Sequence, residues 1–334
     1  MQVVRDLPED RWRRALEELP GASVFHTPEM FEVFSRTDGH RPEVWAAVRG
    51  DDVHALFTPV RISLRSGAAR YLTTRAVAYA GALHTPGPDG TAALVAVLSA
   101  YERGLSRSVL FTEIRHLTDA TDVQGVLGAH GYAFEEHVNY LVDIAKPVQD
   151  VLGAIGRRTR KQIRQGLRRS DVTVEFADSR RDVAICYDVL SRTYAHARVP
   201  VPDRSLFEAT FDVLHPAGMA LFVLARVDGE PAAVSVELPW GQTLYGWYGG
   251  VDRGFAKRTP GELLMWRVLE WGAENGYRTY DFGGAGKPGE EYGVRDFKAK
   301  FGGELVGFGR NTRVHAPLRL ALAKAGYRAA RLRR

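Results

Sequence analysis

Asp281 and Lys298 are the two residues of this chain whose types and surroundings best suit chemistry. They lie in GYRTYDFGGAGKPGEEYGVRDFKAKFGG (residues 276–303), which carries glycines at 283, 284, 286, 289 and 293. Glycine at that density lets a backbone run close to a ligand or take positive φ. Asp281 belongs to a short expected strand, 277–282, just before two glycines, a place where a carboxylate is commonly presented to a cleft. There it accepts a proton from an attacking amine or orients it, or it caps the glycine-rich turn. Lys298 falls in a short helical turn whose Phe297 and Phe301 are spaced to pack inward. Its ammonium stabilises a developing oxyanion, holds a phosphate or ribose, or simply faces water. The carboxylate pair Glu290 and Glu291 lies between them.

Such a set suits acyl transfer from an ester or thioester to an amine. That reaction needs a neutral amine, two aligned substrates and a stabilised tetrahedral oxyanion. No nucleophilic side chain is required, and the chain has no G-x-S-x-G. Its single cysteine, Cys186, sits in an apolar helical pattern with Val183, Tyr187 and Leu190 and reads as a small core residue. It also excludes an internal disulfide and any multi-cysteine metal site. The ten histidines show no H-E-x-x-H or clustered His/Cys spacing, so no metal is expected. Further candidates for lining a substrate cleft are Arg198, Tyr194, Tyr245, Trp247 and Tyr248, with Phe297, Gly283 and Gly284 beside the two central residues. Arg198 suits a bidentate contact to phosphate or carboxylate, or an ordinary surface ion pair. Alternation along a strand also allows the aromatics to be core on one face only.

The elements that must position these residues follow from periodicity. Residues 10–19 and 28–36 have helical spacing, and strand-like patterns run from 43 to 72. A helix around 91–103 ends near Gly104 and leads into VLFTEI. A helix over 120–130 stops at Gly131, and NYLVDI reads as a strand. The pattern resets at Lys146-Pro147, with helices at 147–155, 159–169, 180–194 and 203–214 and the strand VTVEF. Three strands then come in succession, the first two separated by Asp228-Gly229. A helix over 261–275 leads through Gly276 into the stretch carrying Asp281, and ELVGFGR is expected to close the second sheet. Helix, Gly104, VLFTEI and helix, Gly276, TYDFGG recur at an offset of 172 residues, which also maps Gly131 onto Gly303. Two similar α/β domains joined near residue 147 are expected, covering 1–147 and 148–312, with a basic helix or tail at 313–334.

A chain of 334 residues has room for two cores, and 45% hydrophobic with 25% charged residues is globular composition. No signal segment or bilayer-length apolar run is present, so the protein reads as cytoplasmic. Net charge is +5, unevenly spread: 157–169 holds seven cations and 310–334 eight, with no acid in either. Those two segments carry +15, leaving −10 for the rest. Basic patches on an otherwise acidic body suggest a polyanionic partner or a solvated helix. The second patch reads as an amphipathic helix able to meet RNA, anionic lipid headgroups or water.

Four signatures together resemble the FemABX family. They are a basic helix start (Arg157, Arg160, Ile163, Arg164, Gly166), the segment Tyr194–Arg198, the helix LLMWRVLEWGAENG, and YDFGG followed by GVRDFKAKFGGE. The opening RWRRALEEL…VFHTPEMFEVF is similar to the family's first domain. The resemblance implies two tandem domains of the GCN5-related N-acyltransferase (GNAT) fold, each a mixed, mostly antiparallel sheet flanked by helices, an α/β (α+β) class. It implies transfer of an amino acid from charged tRNA to a free amine of a peptidoglycan precursor, small peptide or natural product. It favours a catalytic role for Lys298, with Asp281 as the second catalytic candidate and its turn-capping reading still open. It makes Arg157, Arg160, Lys161, Arg164 and Arg168 candidates for contact with an RNA acceptor arm, whose binding would be salt-sensitive.

The ordinary GNAT coenzyme A loop, R/Q-x-x-G-x-G/A before a helix, cradles pyrophosphate on backbone N–H groups. Its place here reads Arg258-Thr259-Pro260-Gly261-Glu262-Leu263. Pro260 lacks an N–H, Glu262 repels phosphate and the last position is leucine, so tight coenzyme A binding is not expected. No bound cofactor is expected beyond the donor. An acyl-CoA-dependent N-acyltransferase remains the alternative, and a non-catalytic RNA- or envelope-binding protein of the same fold is a third reading.

Overall fold

The computed structural model describes residues 1–290 and 293–332, with 328–332 as backbone; Glu291 lies outside the described residues. Along the chain come β1 (Gln2–Val4), α1 (Glu9–Glu18), α2 (Pro28–Ser35), β2 (His40–Pro42), β3 (Trp45–Arg49), β4 (Asp52–Phe57) and β5 (Val60–Ser63). β6 (Thr74–Ala78), β7 (Leu83–His84), α3 (Pro88–Gly104), β8 (Phe111–Arg115), α4 (Gln124–Ala129) and β9 (Ala133–Glu135) follow. Then come β10 (Asn139–Asp143), α5 (Val148–Ala154), α6 (Arg157–Gly166), β11 (Val172–Phe176), α7 (Arg180–Ala197) and α8 (Arg204–Leu214). The strands β12 (Leu221–Val227), β13 (Glu230–Trp240) and β14 (Thr243–Val251) precede α9 (Pro260–Glu274) and β15 (Thr279–Gly284). Last are α10 (Gly293–Ala299), β16 (Glu304–Val306), β17 (Arg310–Val314) and α11 (Pro317–Leu332).

Local chemistry explains the boundaries. Thr27 accepts from the Met30 N–H and Pro28 opens α2. Ser179 caps α7 by accepting from Asp182 N–H. Asp228 (φ 50°) and Gly229 (φ 85°) both take positive φ, the tight hairpin turn that joins β12 to β13. Pro260 starts α9, whose Leu263, Leu264, Val268 and Leu269 are buried.

The chain divides into two units, Met1–Glu136 with Phe308–Arg334, and His137–Gly307. Unit 1 has a four-stranded sheet, β1-β3-β4-β7, and a six-stranded sheet, β2-β5-β6-β8-β17-β9. Its core joins Leu94, Val97, Leu98 and Tyr101 of α3 to Ala47, Ala55, Phe57 and Ile114 of the sheets. Unit 2 has one seven-stranded sheet, β11-β12-β13-β14-β15-β10-β16. There α9 lies over the sheet, packing Leu263, Leu264, Val268 and Leu269 with Val223, Leu244, Tyr280 and Phe282.

The repeat seen in the sequence is a repeat of topology. Unit 1 contains a parallel pair, β6 with β8, bridged by α3. Unit 2 contains a parallel pair, β14 with β15, bridged by α9. Beyond that pair each unit adds two antiparallel strands, and here equivalent strands are exchanged. β10 follows β9 in the chain yet joins β15 and β16, whereas β17 follows β16 yet joins β8 and β9.

That exchange corrects the expected boundaries. The chain divides at Glu136/His137 rather than near 147, because β10 belongs to unit 2. It returns to unit 1 at Phe308, so the expected 148–312 domain loses β17 and the 313–334 segment is no separate tail. ELVGFGR is split accordingly: β16 closes the second sheet and Arg310 opens a strand of the first.

Candidate active site

The site of unit 2 forms where its parallel strands part. β14 and β15 pair through Thr243↔Thr279, Leu244↔Tyr280 and Tyr245↔Asp281, and there the pairing stops, although β14 runs on to Val251 and β15 to Gly284. At this level β14 and β13 also shift register, between Val236↔Tyr248 and Glu237↔Gly246. The extra residue re-aims the strand, as bulges beside functional sites do. Before it Leu244 packs in the α9 core; after it Tyr248 meets Phe207 of α8 edge-to-face and Gly250 faces Thr193 of α7.

Asp281 thus sits at the last paired register and is buried. The strand runs over Thr279–Gly284, two residues past the end expected from the sequence. Its Oδ1 accepts the Gly283 N–H at 2.7 Å, and Asn139 Nδ2 donates to both carboxylate oxygens at 3.3 Å. Burial lifts the carboxyl to about 6, against the pull of the Gly283 N–H, Asn139 and Lys298. Oδ2 receives only the Asn139 amide among the described residues, which leaves it lone-pair capacity for a further proton donor.

Lys298 is buried as well, and its ammonium donates to the carbonyls of Phe282 at 2.6 Å, Gly283 at 3.2 Å and Gly284 at 2.7 Å. An ammonium has three hydrogens, so none remains for an oxyanion in this conformation. The direct oxyanion contact expected of Lys298 is therefore corrected: its first task is to hold the turn. Burial pulls the ammonium down to about 8, with Asp281 pulling the other way. One turn earlier on α10, Arg295 donates to the carbonyls of Ala285 at 2.8 Å and Glu290 at 3.0 Å, and to that of Lys287. Two cations of one short helix therefore hold the carbonyls of residues 282–285, 287 and 290. Gly283 has φ 67°, and a Cβ there would lie 3.0 Å from the Tyr245 hydroxyl.

A second carboxylate escaped the sequence reading. Glu237 of β13 is fully buried and accepts the Tyr280 hydroxyl at 3.0 Å on Oε2, while its Oε1 has no hydrogen-bond partner among the described residues. Burial lifts it to about 7. The pair sits over Gly246, where a Cβ would come within 2.5 Å of the Tyr280 hydroxyl. The signal was there to read: one glutamate in the apolar run AAVSVELPW. Asn139 and Arg295 were missed because neither is chemically conspicuous in its segment.

The other candidates separate into groups. Tyr245 joins Asp281, Lys298, Gly283 and Gly284 at the turn. Tyr194 and Tyr248 meet with ring centroids 6.4 Å apart, and Trp247 lies 5.0 Å from Tyr248, an aromatic group on the α7 side of the strand. Arg198 caps α7 in the left-handed region (φ 56°), exposed, with no ion pair among the described residues. It is not part of the Asp281 cluster. Phe297, expected against substrate, packs edge-to-face on Phe301 at 5.3 Å and lies under the Lys300 ammonium, so its ring serves the core. Cys186 is buried and its thiol is pushed up to about 12, as a core residue should be. Among the described residues no cluster of histidine, cysteine and carboxylates could hold a metal.

Five cations of the 157–169 segment share one face of α6 and its C-terminal continuation. Arg157, Arg160, Lys161, Arg164 and Arg168, with Gln165, line a groove of about 370 Å³. Thr159, Ile163 and Gly166 form the buried face. On the buried face Gly166 fits beneath Leu263 of α9, where a Cβ would come within 2.7 Å; Arg158 and Arg169 do not line the groove, and Arg169 pairs with Asp171. The Gly166 contact involves the Arg258–Leu263 segment. Leu263 is buried, Glu262 pairs with Lys300 at 3.0 Å, and Arg258 is held by Asp171 and Asp228.

Residues 156–299 match the family profile described as an acetyltransferase (GNAT) domain. Over 97% of this chain the fold is similar to the crystal structure of FemX, covering 100% of that chain at 18% identity and TM-score 0.73. The fold is FemABX-like. It is similar also to L-PGS from Bacillus licheniformis (14% identity, TM-score 0.58, 97% of this chain and 98% of that one). A tandem GNAT protein from the clavulanic acid biosynthesis pathway is similar at 12% identity and TM-score 0.59, over 94% of this chain and 98% of that one. No curated protein sequence matches. The FemABX-like fold accounts for two GNAT-like units in tandem, and with the domain match it supports an acyltransferase of the GNAT/Fem type.

Proposed function

We propose that the protein forms an amide by moving an aminoacyl group from charged tRNA to a free amine, with Asp281 as the proton acceptor. The amine nitrogen attacks the ester carbonyl carbon and a C–N bond forms. The proton of the ammonium formed on attack passes to Asp281 Oδ2, and Asp281 returns it to the ribose oxygen as the ester C–O bond breaks, which leaves the amide, a free ribose hydroxyl and an ionised Asp281. A carboxyl lifted to about 6 is ionised at neutral pH yet basic enough to take that proton. Lys298 fixes the carbonyls of residues 282–284, and with them the Gly283 N–H that orients the carboxylate. Asp281 stands at the last register at which β14 and β15 pair, where the two strands part.

The observation that carries the tRNA reading is the cationic stripe of α6, whose Arg157, Lys161, Arg164 and Arg168 have no carboxylate partner among the described residues. A row of unneutralised cations suits a phosphate backbone. The acceptor is an amine of a cell-envelope precursor, a small peptide or a natural product. Purified protein given charged tRNA and candidate amines should yield an alkali-stable amide that depends on the tRNA. No such product, alongside turnover with acyl-CoA, overturns the donor and leaves the second reading, an acyl-CoA-dependent N-acyltransferase, which the acetyltransferase domain match favours.

A further inference from the structure

Unit 1 carries an apolar, cationic face whose leucines point the wrong way for a water-facing surface. α11 is fastened inward by Arg319, which donates to the carbonyls of Arg107 at 2.7 Å and Tyr71 at 3.4 Å and lies 5.7 Å from the Tyr71 ring. Leu320 and Ala323 are half-buried with it. The opposite face of the same helix presents Leu318, 81% exposed, and Leu322, 65% exposed, with Ala321 and Ala325 between and beyond them. A surface helix of a globular protein turns such residues toward the core. Beside it the 3-10 segment Gly67–Leu72 and its approach expose Leu64, Tyr71 and Leu72. Isolated exposed leucines are ordinary, but a cluster from two adjoining elements marks an interaction surface.

Charge says what kind. Residues 60–75 and 310–334 contain no Asp or Glu. Arg65, Arg70, Arg107 and Lys324 are exposed around the apolar patch, and among the described residues none of them is in an ion pair. Arg70 stands 5.2 Å from the Tyr71 ring, and its hydrogen bond to the phenol, followed by its charge and those of Arg319 and Arg107, draws the Tyr71 phenol below its ordinary range. Aliphatic side chains ringed by cations and a tyrosine are the composition of an element lying in a bilayer interface: leucines enter the acyl boundary while arginine and lysine meet anionic headgroups. A single-stranded nucleic acid held by phosphate contacts and aromatic stacking would leave these aliphatic side chains in water, whereas a bilayer interface buries them.

We propose that unit 1 docks on an anionic lipid surface through α11 and the Gly67–Leu72 segment, independently of the reaction assigned to unit 2. The test is co-sedimentation of the full chain with vesicles of about 30% phosphatidylglycerol in phosphatidylcholine, against pure phosphatidylcholine. The chain should bind the first and not the second, and should be released by salt. Leu318→Ser with Leu322→Ser should lower binding by about tenfold or more. Arg65→Gln with Lys324→Gln should lower it several-fold, both pairs leaving the thermal midpoint unchanged because the sites are exposed. Absence of binding to anionic vesicles, or full binding by the leucine pair, overturns the proposal. So does a parent dimer that the leucine pair converts to monomer, which would make the face a self-association surface. RNA binding at this face that survives loss of the leucines overturns it as well.

Discussion

Asp281 and Lys298 hold the same residue from two sides: the carboxylate accepts the Gly283 N–H at 2.7 Å and the ammonium donates to the Gly283 carbonyl at 3.2 Å. The shape of the turn and the ionisation of both groups are therefore one arrangement. Lys298→Met would leave the carbonyls of Phe282, Gly283 and Gly284 without their donor. Losing charged hydrogen bonds in a buried site costs about 2–4 kcal/mol. Denaturant unfolding at pH 7 should show that loss, with activity falling further than stability explains.

Asp281 works against folding wherever it is charged. Its folded-state value, about 6, lies above the 3.8 of an ordinary aspartate, so between these values the folded chain binds more protons than the unfolded one. Stability from this group is thus full below 3.8 and falls as pH rises toward 6. Asp281→Asn removes the buried charge. It should raise stability at pH 8 by about 1–3 kcal/mol and change little at pH 4, read from unfolding at the two pH values. A stabilised, inactive variant is the expected outcome.

The fold was legible in the sequence to the extent that each element carried its own signal. The turn at Asp228-Gly229, Pro260 at the start of α9 and the apolar face of that helix all announce themselves. The exchange of β10 and β17 does not, because a strand's partner is fixed by non-local pairing and NYLVDI would suit either sheet. In the site, Asp281 and Lys298 stood out by their glycine-rich setting. What Lys298 does was hidden, since carbonyls are the same at every residue and only coordinates show three of them converging on one ammonium. Which face of α6 is buried depended likewise on knowing that Gly166 lies beneath Leu263.

Gly246 is required by the Tyr280–Glu237 pair. A methyl group at 246 would meet the Tyr280 hydroxyl at 2.5 Å, and both side chains are fully buried with no room to retreat. Gly246→Ala should cost about 1–3 kcal/mol. Combining it with Tyr280→Phe, which removes the offending oxygen, should recover part of that loss, measured as a double-mutant cycle.

The α6 stripe predicts a salt signature. Replacing Arg157, Lys161, Arg164 and Arg168 by glutamine should weaken tRNA binding and flatten its dependence on salt by about one unit of slope for each phosphate no longer neutralised. These side chains point away from the buried face of the helix, so the thermal midpoint should hold. An unchanged salt slope in filter binding or fluorescence anisotropy would place the nucleic acid elsewhere.

Single-turnover transfer from labelled aminoacyl-tRNA to an accepted amine, followed from pH 5 to 9 for the parent and Asp281→Asn, reaches the chemistry itself. The parent should form alkali-stable amide with an acidic limb near 6, the value to which burial lifts Asp281. The asparagine variant should lose that limb and be slower by about 10²–10⁴-fold at neutral pH. An asparagine variant that transfers at the parent's rate with the same acidic limb would contradict the assignment.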